Sequence, residues 1–225
     1  MEGSRGPAIY MRSGLMGSVV QPPEWLRFCP ECVQEDKQQF SESYWHRLHQ
    51  IPGVEICPQH QVRLVDSQVR VQNPTTRHEF IKAEQGIKLL KSQSYTLKDS
   101  HHNILLIAQN ATWLLEEHIS PPGLTILLKR YRELLAERDL ATYSGRVRVS
   151  KLLEEFKRFY PDELLQRLQY EIDTESEHSW LLRLVRSPKG SQHPLRHLLL
   201  IQFLDRNAES FFKLPKQFKL FGTAP

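Results

Sequence analysis

The sequence predicts a mainly α-helical protein in which a small module containing all the cysteines precedes a multi-helix domain. The three cysteines lie between residues 29 and 57, and each belongs to a closely spaced pair of metal-binding residue types. Residues 61–71 alternate apolar and polar side chains, which predicts short strands in the same module. From residue 75 onward, apolar residues recur at helical spacing, which predicts the multi-helix domain.

The two ligand-spaced pairs predict a zinc site. Cys29 and Cys32 form a Cys-x-x-Cys turn, and Cys57 and His60 form a Cys-x-x-His turn. Two such turns can converge on one tetrahedral zinc ion. Four protein ligands leave no position for water or substrate, so the metal is expected to be structural and the region a zinc finger.

A disulfide or a set of buried free thiols accounts less well for these residues than a zinc site does. A disulfide would leave one cysteine odd, and the sequence shows no secretory signal. Buried free thiols are possible, but no cysteine lies outside the two pairs. His46 and His49 could compete with His60 for the fourth position. His60 is favoured because its spacing repeats that of the first pair, which leaves His46 and His49 packing or hydrogen-bonding roles.

Composition is that of an ordinary soluble globular protein, with 40% hydrophobic and 25% charged residues. A net charge of +4 permits nucleic-acid binding without requiring it. No apolar run approaches the ~20 residues needed to cross a bilayer, and the longest is HLLLIQFL at 197–204. We expect a soluble, cytoplasmic protein.

The chain is expected to have four parts: an extended lead-in at 1–26, the zinc finger at 27–74, a helical linker or core at 75–140, and a helical domain with helix-turn-helix-like pairs at 141–225. Phe40, Tyr44 and Trp45 are expected to fill the interior of the finger, because a zinc module has few other sources of core.

Helices are predicted from periodicity, caps and breakers. A helix over about 77–91 would be capped by Thr76 and Glu79. Further helices are predicted from about Ser100 to before Pro121, over 124–138, from about Ser150 to the turn at Tyr160-Pro161, from Asp162 as the N-cap, over 178–186, and from Pro194. No regular element is predicted for the final stretch FFKLPKQFKLFGTAP.

The two short helices on either side of Tyr160-Pro161 are compatible with a helix-turn-helix. A basic cluster lies beside that turn, where it could meet phosphates. The first candidates for DNA contact are Arg146, Arg148, Lys151, Lys157 and Arg158, and the second are Lys129, Arg130 and Arg132. Most helical hairpins are only packing units, a charge run is usually a solvated face, and Asp162 and Glu163 would repel DNA.

Catalytic function finds little support in the sequence. There is no Gly-rich phosphate loop, no nucleophile elbow and no open metal site. Asp36 and Glu42 lie within the finger, but their spacing does not single them out for acid–base catalysis. A binding protein is therefore expected, rather than an enzyme.

Two runs of the sequence carry a family resemblance: WLRFCPECVQED at 25–36 and YWHRLHQIPGVEICPQHQVRL at 44–64 resemble the zinc-finger region of TniQ/TnsD proteins, the target-site selectors of TnsABC-type transposons. Residues 145–168 and 193–204 resemble the downstream helices of TnsD. The resemblance extends loosely from about residue 10 to 222. The usual amino-terminal TniQ segment is not matched, and TnsD-like proteins continue beyond FG at 221–222, so we expect a central fragment.

The resemblance implies a protein that binds an attachment sequence in double-stranded DNA and recruits the AAA+ regulator TnsC. It also implies that Cys29, Cys32, Cys57 and His60 bind zinc. Within the finger, the family signature is Trp45, His46, Arg47, His49 and Gln50. Arg47 could contact a phosphate or a partner, or it could form a buried salt bridge that braces the finger.

Two other functions remain open. One is a protein-interaction adaptor, like short TniQ proteins, that links the ATPase to another targeting complex and has little DNA recognition of its own. The long tail after residue 140 favours the DNA-binding function over it. The other, a zinc hydrolase, would need an open coordination position, which a site with four protein ligands lacks.

Overall fold

The computed structural model describes residues 22–71, 81–87, 101–117, 123–173, 179–186 and 192–213. Within these residues the fold is mainly α-helical with one small sheet, as predicted. No helix of the described part combines the length and the apolar character that a membrane span requires.

Two strands and nine α-helices occur in the described residues. They are β1 (Trp25–Phe28), α1 (Pro30–Phe40), β2 (Val65–Arg70), α2 (Ala83–Gly86), α3 (His101–Glu116), α4 (Leu124–Glu137), α5 (Val149–Phe159), α6 (Asp162–Arg167), α7 (Trp180–Arg186), α8 (Pro194–Asp205) and α9 (Ala208–Phe212). The chain divides into two compact units. The described part of the first is 22–71, 81–87, 101–115 and 160–171, and that of the second is 116–117, 123–159, 172–173, 179–186 and 192–213.

The sheet of the first unit consists of β1 and β2 in antiparallel pairing. Trp25 lies opposite Arg70 and Phe28 opposite Val65, with a register shift between Trp25 and Arg27. The alternating stretch 61–71 therefore contains a strand, as predicted, but its partner β1 was not predicted. Four residues give too short an alternation to be recognised without the partner strand.

Helix α1 begins directly after Cys29, because Pro30 occupies a first-turn position where its missing N–H costs nothing. The helix ends at Ser41, which adopts the left-handed conformation (φ 63°). The expectation that Phe40 and Tyr44 fill the finger is wrong, since they are 54% and 49% exposed. Phe40 is the last residue of α1, and Tyr44 lies in the loop that follows the helix. Trp45, by contrast, packs against the buried cluster of this unit.

The helix predicted over 77–91 does not run through the part of it that the structure describes, residues 81–87. Only the residues of α2 are helical there, and the backbone is extended at Lys82 (ψ 147°) and Ile87 (ψ 101°). Tertiary packing overrides the periodicity: Ala83 and Ile87 join the core of Phe28 and Val33. Thr76 and Glu79, the predicted capping residues, lie outside the described residues.

Because Gly86 has no side chain, the backbone of α2 can lie close to Val69 and Trp45. A Cβ there would lie 2.3 Å from Val69 Cγ2 and 3.0 Å from Trp45 Cζ2. The Trp45 indole also donates a hydrogen bond to the carbonyl of Ile81 (2.9 Å). These contacts fix the short α2 segment against the tryptophan.

The second unit is built around α8, whose residues 198–204 are all buried. Phe156 of α5 contacts Trp180 and Phe203 edge-on, with ring centroids 5.7 and 5.1 Å apart. All the core positions predicted for α7 and α8 are buried: Trp180, Leu181, Leu184, Leu198, Leu199, Phe203 and Leu204.

Two details of the predicted helices need correction. Phe211 and Phe212, expected to lie in an irregular tail, belong to α9, which Asn207 caps by accepting a hydrogen bond from the Glu209 amide (2.7 Å). Asp162 is the first residue of α6 rather than its N-cap, which is Pro161. Proline fixes the extended backbone that precedes the helix, and Asp162 then places its charge in the first turn.

Candidate metal centre and nucleic-acid interface

The first half of the candidate metal centre is the start of α1. Cys29 is the N-cap residue, and Cys32 lies in the first helical turn. Amide groups at a helix N-terminus favour negative charge nearby, which suits two thiolates. The Cys-x-x-Cys spacing thus places both sulfurs at the positive end of a helix.

The second half is a tight turn between Ile56 and Arg63, which form an isolated antiparallel bridge. The amide of Cys57 donates to the carbonyl of Val62 (2.9 Å), and the amide of Gln61 donates to the carbonyl of Cys57 (2.8 Å). Gln61 takes a left-handed conformation (φ 55°) to close the turn. This geometry brings the side chains of Cys57 and His60 to the same point.

The four predicted ligand atoms converge, all lying within 4.8 Å of one another. His60 Nδ1 is 3.5 Å from the sulfur of Cys29, 3.4 Å from that of Cys32 and 3.5 Å from that of Cys57. The sulfurs of Cys32 and Cys57 are 3.6 Å apart. Around zinc, bond lengths of ~2.3 Å to sulfur and ~2.0 Å to nitrogen give tetrahedral edges of about 3.8 and about 3.6 Å. The cluster has the dimensions that zinc requires.

The electrostatics of the three thiols also fit a bound cation. Contacts with the sulfurs of Cys29 and Cys57, together with burial, raise the pKa of Cys32 far above its ordinary value. The same contacts from Cys29 and Cys32 lower the pKa of Cys57. Sulfurs this close resist carrying negative charge together, and a divalent cation would remove that conflict.

Residues around the cluster orient its ligands. Glu35 Oε1 lies 2.9 Å from His60 Nε2, on the side of the ring opposite the sulfurs. A carboxylate in this position is the usual partner of a zinc-binding histidine, since it fixes the ring and raises its basicity. The spacing of the ligands gave no indication of Glu35.

His46 and His49, the alternative ligands, also approach the sulfur of Cys32, since the three ligand atoms lie within 4.8 Å of one another. His46 Nε2 is 2.9 Å from Asp36 Oδ2, and the rings of His46 and His49 stack with centroids 4.8 Å apart. His60, unlike either of them, contacts all three sulfurs. The geometry therefore favours His60 as the fourth ligand.

The side chain of Gln50, part of the predicted signature, connects the segment after α1 to strand β1. Its side chain accepts a hydrogen bond from the Arg27 amide (2.9 Å) and donates to the Arg27 carbonyl (2.8 Å). It thereby satisfies both backbone groups of one residue of β1.

Arg47 of the signature does not form the buried salt bridge that was one of its two expected roles. Its side chain is exposed, and it has no ion pair within the described residues. The residue is thus sterically available to a phosphate or a partner. Its contact with DNA stays a prediction.

The predicted basic contacts of the second unit differ in whether a nearby carboxylate neutralises their charge. Arg148 and Lys151 share one carboxylate, with Asp139 oxygens 3.0 and 2.9 Å away. Lys151 and then Arg148 lower the pKa of Asp139. Arg130 is 17% exposed and lies 3.9 Å from both Glu133 and Asp205. These three cations are partly neutralised, Arg130 most of all.

Arg146 and Arg158 are exposed and have no ion pair in the part of the chain that the structure describes. Arg132 is exposed and donates to the carbonyl of Arg186 (3.3 Å). Lys129 is exposed, and Lys157 is half-buried. Among the predicted contacts, Arg146, Arg158 and Arg132 are therefore the exposed cations that have no ion pair within the described residues.

Comparison with known proteins places the chain in a family. The model of the Tn7-like transposition protein D family, TnsD, matches residues 107–225. The chain belongs to the TnsD family. The TniQ family model matches residues 1–64, which include all four candidate zinc ligands and also the lead-in at 1–26, where we expected no TniQ match.

A curated relative supports the same assignment. The chain is 25% identical over 213 residues to the transposon Tn7 transposition protein TnsD of Escherichia coli. That alignment covers 91% of this chain and 39% of the relative's length. The resemblance expected from the finger signature and the downstream helices is confirmed, and the basic candidates of residues 129–158 all fall within the part matched by the TnsD model.

His46 was expected to have a packing or hydrogen-bonding role, but its partner was not anticipated from the sequence. Asp36 and His46 form a pair because α1 and the following loop are adjacent in the fold, which spacing alone does not indicate. The helix that carries Cys32 could have been recognised, since Pro30 at a helix start followed by Glu31 is a common first-turn pattern.

Proposed function

We propose that this chain is the DNA-binding part of a target-site selector in a Tn7-like transposition system. It binds a defined attachment sequence in double-stranded DNA in the bacterial cytoplasm and recruits the AAA+ regulator TnsC. It has no catalytic step of its own. The chain spans 39% of the length of the curated relative that it matches.

The main support for this proposal is that exposed cations without ion pairs lie within the segment that the TnsD family model matches. Arg132, Arg146 and Arg158 are exposed in the second unit, within the segment that the TnsD model matches. Exposed arginines on a folded scaffold can replace the counterions condensed on DNA, which is the main source of affinity in such complexes.

Zinc has a structural role in this proposal. Cys29, Cys32, Cys57 and His60 would hold it, and it would join the start of α1 to the turn at 56–63. Because four protein side chains complete the tetrahedral shell, the ion would supply folding energy rather than a reactive position.

The test begins with selection of binding sequences from a random duplex library by the full chain. Fluorescence anisotropy then compares the selected duplex with a scrambled duplex of the same composition over a range of salt. We expect preference for the selected duplex and an affinity that falls steeply as salt rises. Equal binding to both duplexes in moderate salt would contradict sequence-specific recognition.

A pair of matched double variants locates the contact. Arg146→Gln with Arg158→Gln should weaken binding and reduce the salt slope by about 2, near 0.9 for each lost phosphate contact. Lys37→Gln with Lys82→Gln removes the same charge from exposed positions in the first unit and should leave the slope unchanged. Equal effects of the two pairs would mean that net charge alone drives binding.

An adaptor function is the second candidate, and the pairing of three predicted DNA contacts with carboxylates favours it. Phe40 and Tyr44, exposed on the finger, would then be available to a protein partner. Immobilised chain should retain TnsC without DNA if this function holds. Retention of TnsC together with no preference for any selected duplex would replace the DNA-binding proposal with the adaptor.

A further inference from the structure

A short loop between α4 and α5 presents an aromatic side chain directly to solvent. Ala141 and Val147 form an isolated antiparallel bridge that closes the loop TYSGR at 142–146. Tyr143, the second residue of this loop, is fully exposed at 101% relative accessibility. Burying aromatic surface is favourable, so this ring offers contact area to a partner that the surroundings of the loop would attract.

Hydrogen bonds within the loop fix its shape. The Thr142 amide donates to the Arg146 carbonyl (2.9 Å), and the Gly145 amide donates to the Thr142 carbonyl (2.8 Å). The Thr142 hydroxyl accepts from the Arg146 amide (3.1 Å) and lies 2.8 Å from the Ser144 hydroxyl. Gly145 adopts φ +87°, which glycine tolerates at no steric cost. The loop that carries Tyr143 is therefore already ordered, so binding a partner would cost little conformational entropy.

The surroundings of the loop are positively charged. Arg146 ends the loop and is exposed, and the Cδ atom of Arg132 lies 4.0 Å from the position that a Cβ on Gly145 would occupy. Asp139, which precedes the loop in the chain, is engaged by Arg148 and Lys151. An exposed aromatic ring on a loop that carries Arg146 and lies beside Arg132 suits a ligand that combines negative charge with flat, apolar surfaces, as nucleic acid does.

We propose that the loop at 142–146 enters the minor groove of the bound duplex, with Tyr143 against the sugars and base edges and with Arg146 and Arg132 at the flanking phosphates. This inference rests on the proposed DNA-binding function and adds a contact that none of the candidate helices supplies. The minor groove is ~6 Å wide, which admits a narrow loop but not a helix. Its negative potential also attracts arginine side chains.

The test compares Tyr143→Ala with the unmodified chain on the duplex selected by the full chain. Tyr143→Ala should raise Kd by about ten-fold, the order of loss expected when one well-packed aromatic contact in an interface is truncated. Its salt slope should not change, because tyrosine carries no charge at neutral pH. Phe40→Ala is the matched control: it removes another exposed aromatic ring, in the first unit, and should leave Kd unchanged. Since Tyr143 is fully exposed, its removal should not alter the melting temperature.

Hydroxyl-radical footprinting supplies the second readout, because these radicals attack sugars from the minor groove. The unmodified chain should protect a patch that Tyr143→Ala loses while the rest of the footprint remains. Gly145→Ala keeps every contacting side chain but strains the loop, so it should weaken the same patch. An unchanged patch in Tyr143→Ala would overturn this inference and leave the proposed function standing. No protection by the unmodified chain would overturn both.

Discussion

The choice of the fourth zinc ligand depends on single side chains. Three histidines lie near the sulfurs, but they face different neighbours. His60 has its Nδ1 against the three sulfurs and its Nε2 against Glu35, whereas His46 Nε2 is engaged by Asp36. A histidine with sulfurs on one nitrogen and a carboxylate on the other has the arrangement of a zinc ligand.

We expect His60→Gln to lower zinc affinity by far more than His49→Gln does. Loss of a ligand opens the tetrahedral shell, while loss of a supporting residue typically costs about 10–100-fold in affinity. Competition with a chromophoric chelator measures the affinity, and the absorption of the cobalt-substituted protein reports the ligand set. Full cobalt absorption in His60→Gln together with its loss in His49→Gln would assign the fourth position to His49.

The helices and strands show which elements local signals in the sequence can predict and which depend on tertiary contacts. Helices α3, α4, α5, α7 and α8 were predicted because their apolar spacing and their flanking prolines are local signals. Helix α2 was overestimated, because the packing of Gly86 against Trp45 and Val69 is set by residues far along the chain. Strand β1 was missed since a four-residue strand is defined by its partner. The four residues of the candidate metal centre could be identified from their spacing in the sequence. Glu35 could not, since its contact with His60 exists only once the turn at 56–63 has folded.

The cap of α8 links pH to stability. His193 is buried, and its Nδ1 accepts the Leu195 amide (3.2 Å) at the start of this helix. Burial, and then the charge of Arg196, lower the pKa of His193 to about 4. The unfolded chain, with an ordinary pKa near 6.5, therefore takes up a proton between these values that the folded chain does not. Stability should be full above about pH 6.5 and fall as the pH approaches 4.

His193→Asn should reduce that loss, because asparagine keeps an acceptor for the cap but does not titrate. Between pH 7 and pH 5, we expect the free energy of unfolding to fall by on the order of 1 kcal/mol less in the variant. Urea unfolding at the two pH values measures the difference. Burial and the charge of Arg196 also lower the pKa of His197 to about 4. Because His197 is present in both proteins, its contribution to the pH dependence cancels in the comparison. Identical pH dependence of the two proteins would exclude His193 as a source of the acid sensitivity.

The whole molecule divides its stability between two kinds of core. The second unit buries a large aromatic and aliphatic cluster around α8, in which Phe156 contacts both Trp180 and Phe203. The finger of the first unit has small clusters, of which one is formed mainly by the three cysteines themselves. A core of that size rarely suffices without a cross-link or a metal ion.

Removal of zinc should therefore act on one part of the chain. With excess chelator under reducing conditions, or in Cys57→Ser, we expect amide hydrogens of β1, α1 and β2 to lose their protection from exchange. Those of α4, α5 and α8 should keep theirs, because their burial depends on apolar packing that contains no ligand. Hydrogen exchange followed by mass spectrometry resolves these segments, and Ser67→Ala, a substitution of similar size in β2 away from the ligands, controls for mutation of the module. Loss of protection throughout the chain would show that the helices also depend on the metal, and full protection of α1 without zinc would refute its role as a structural cross-link.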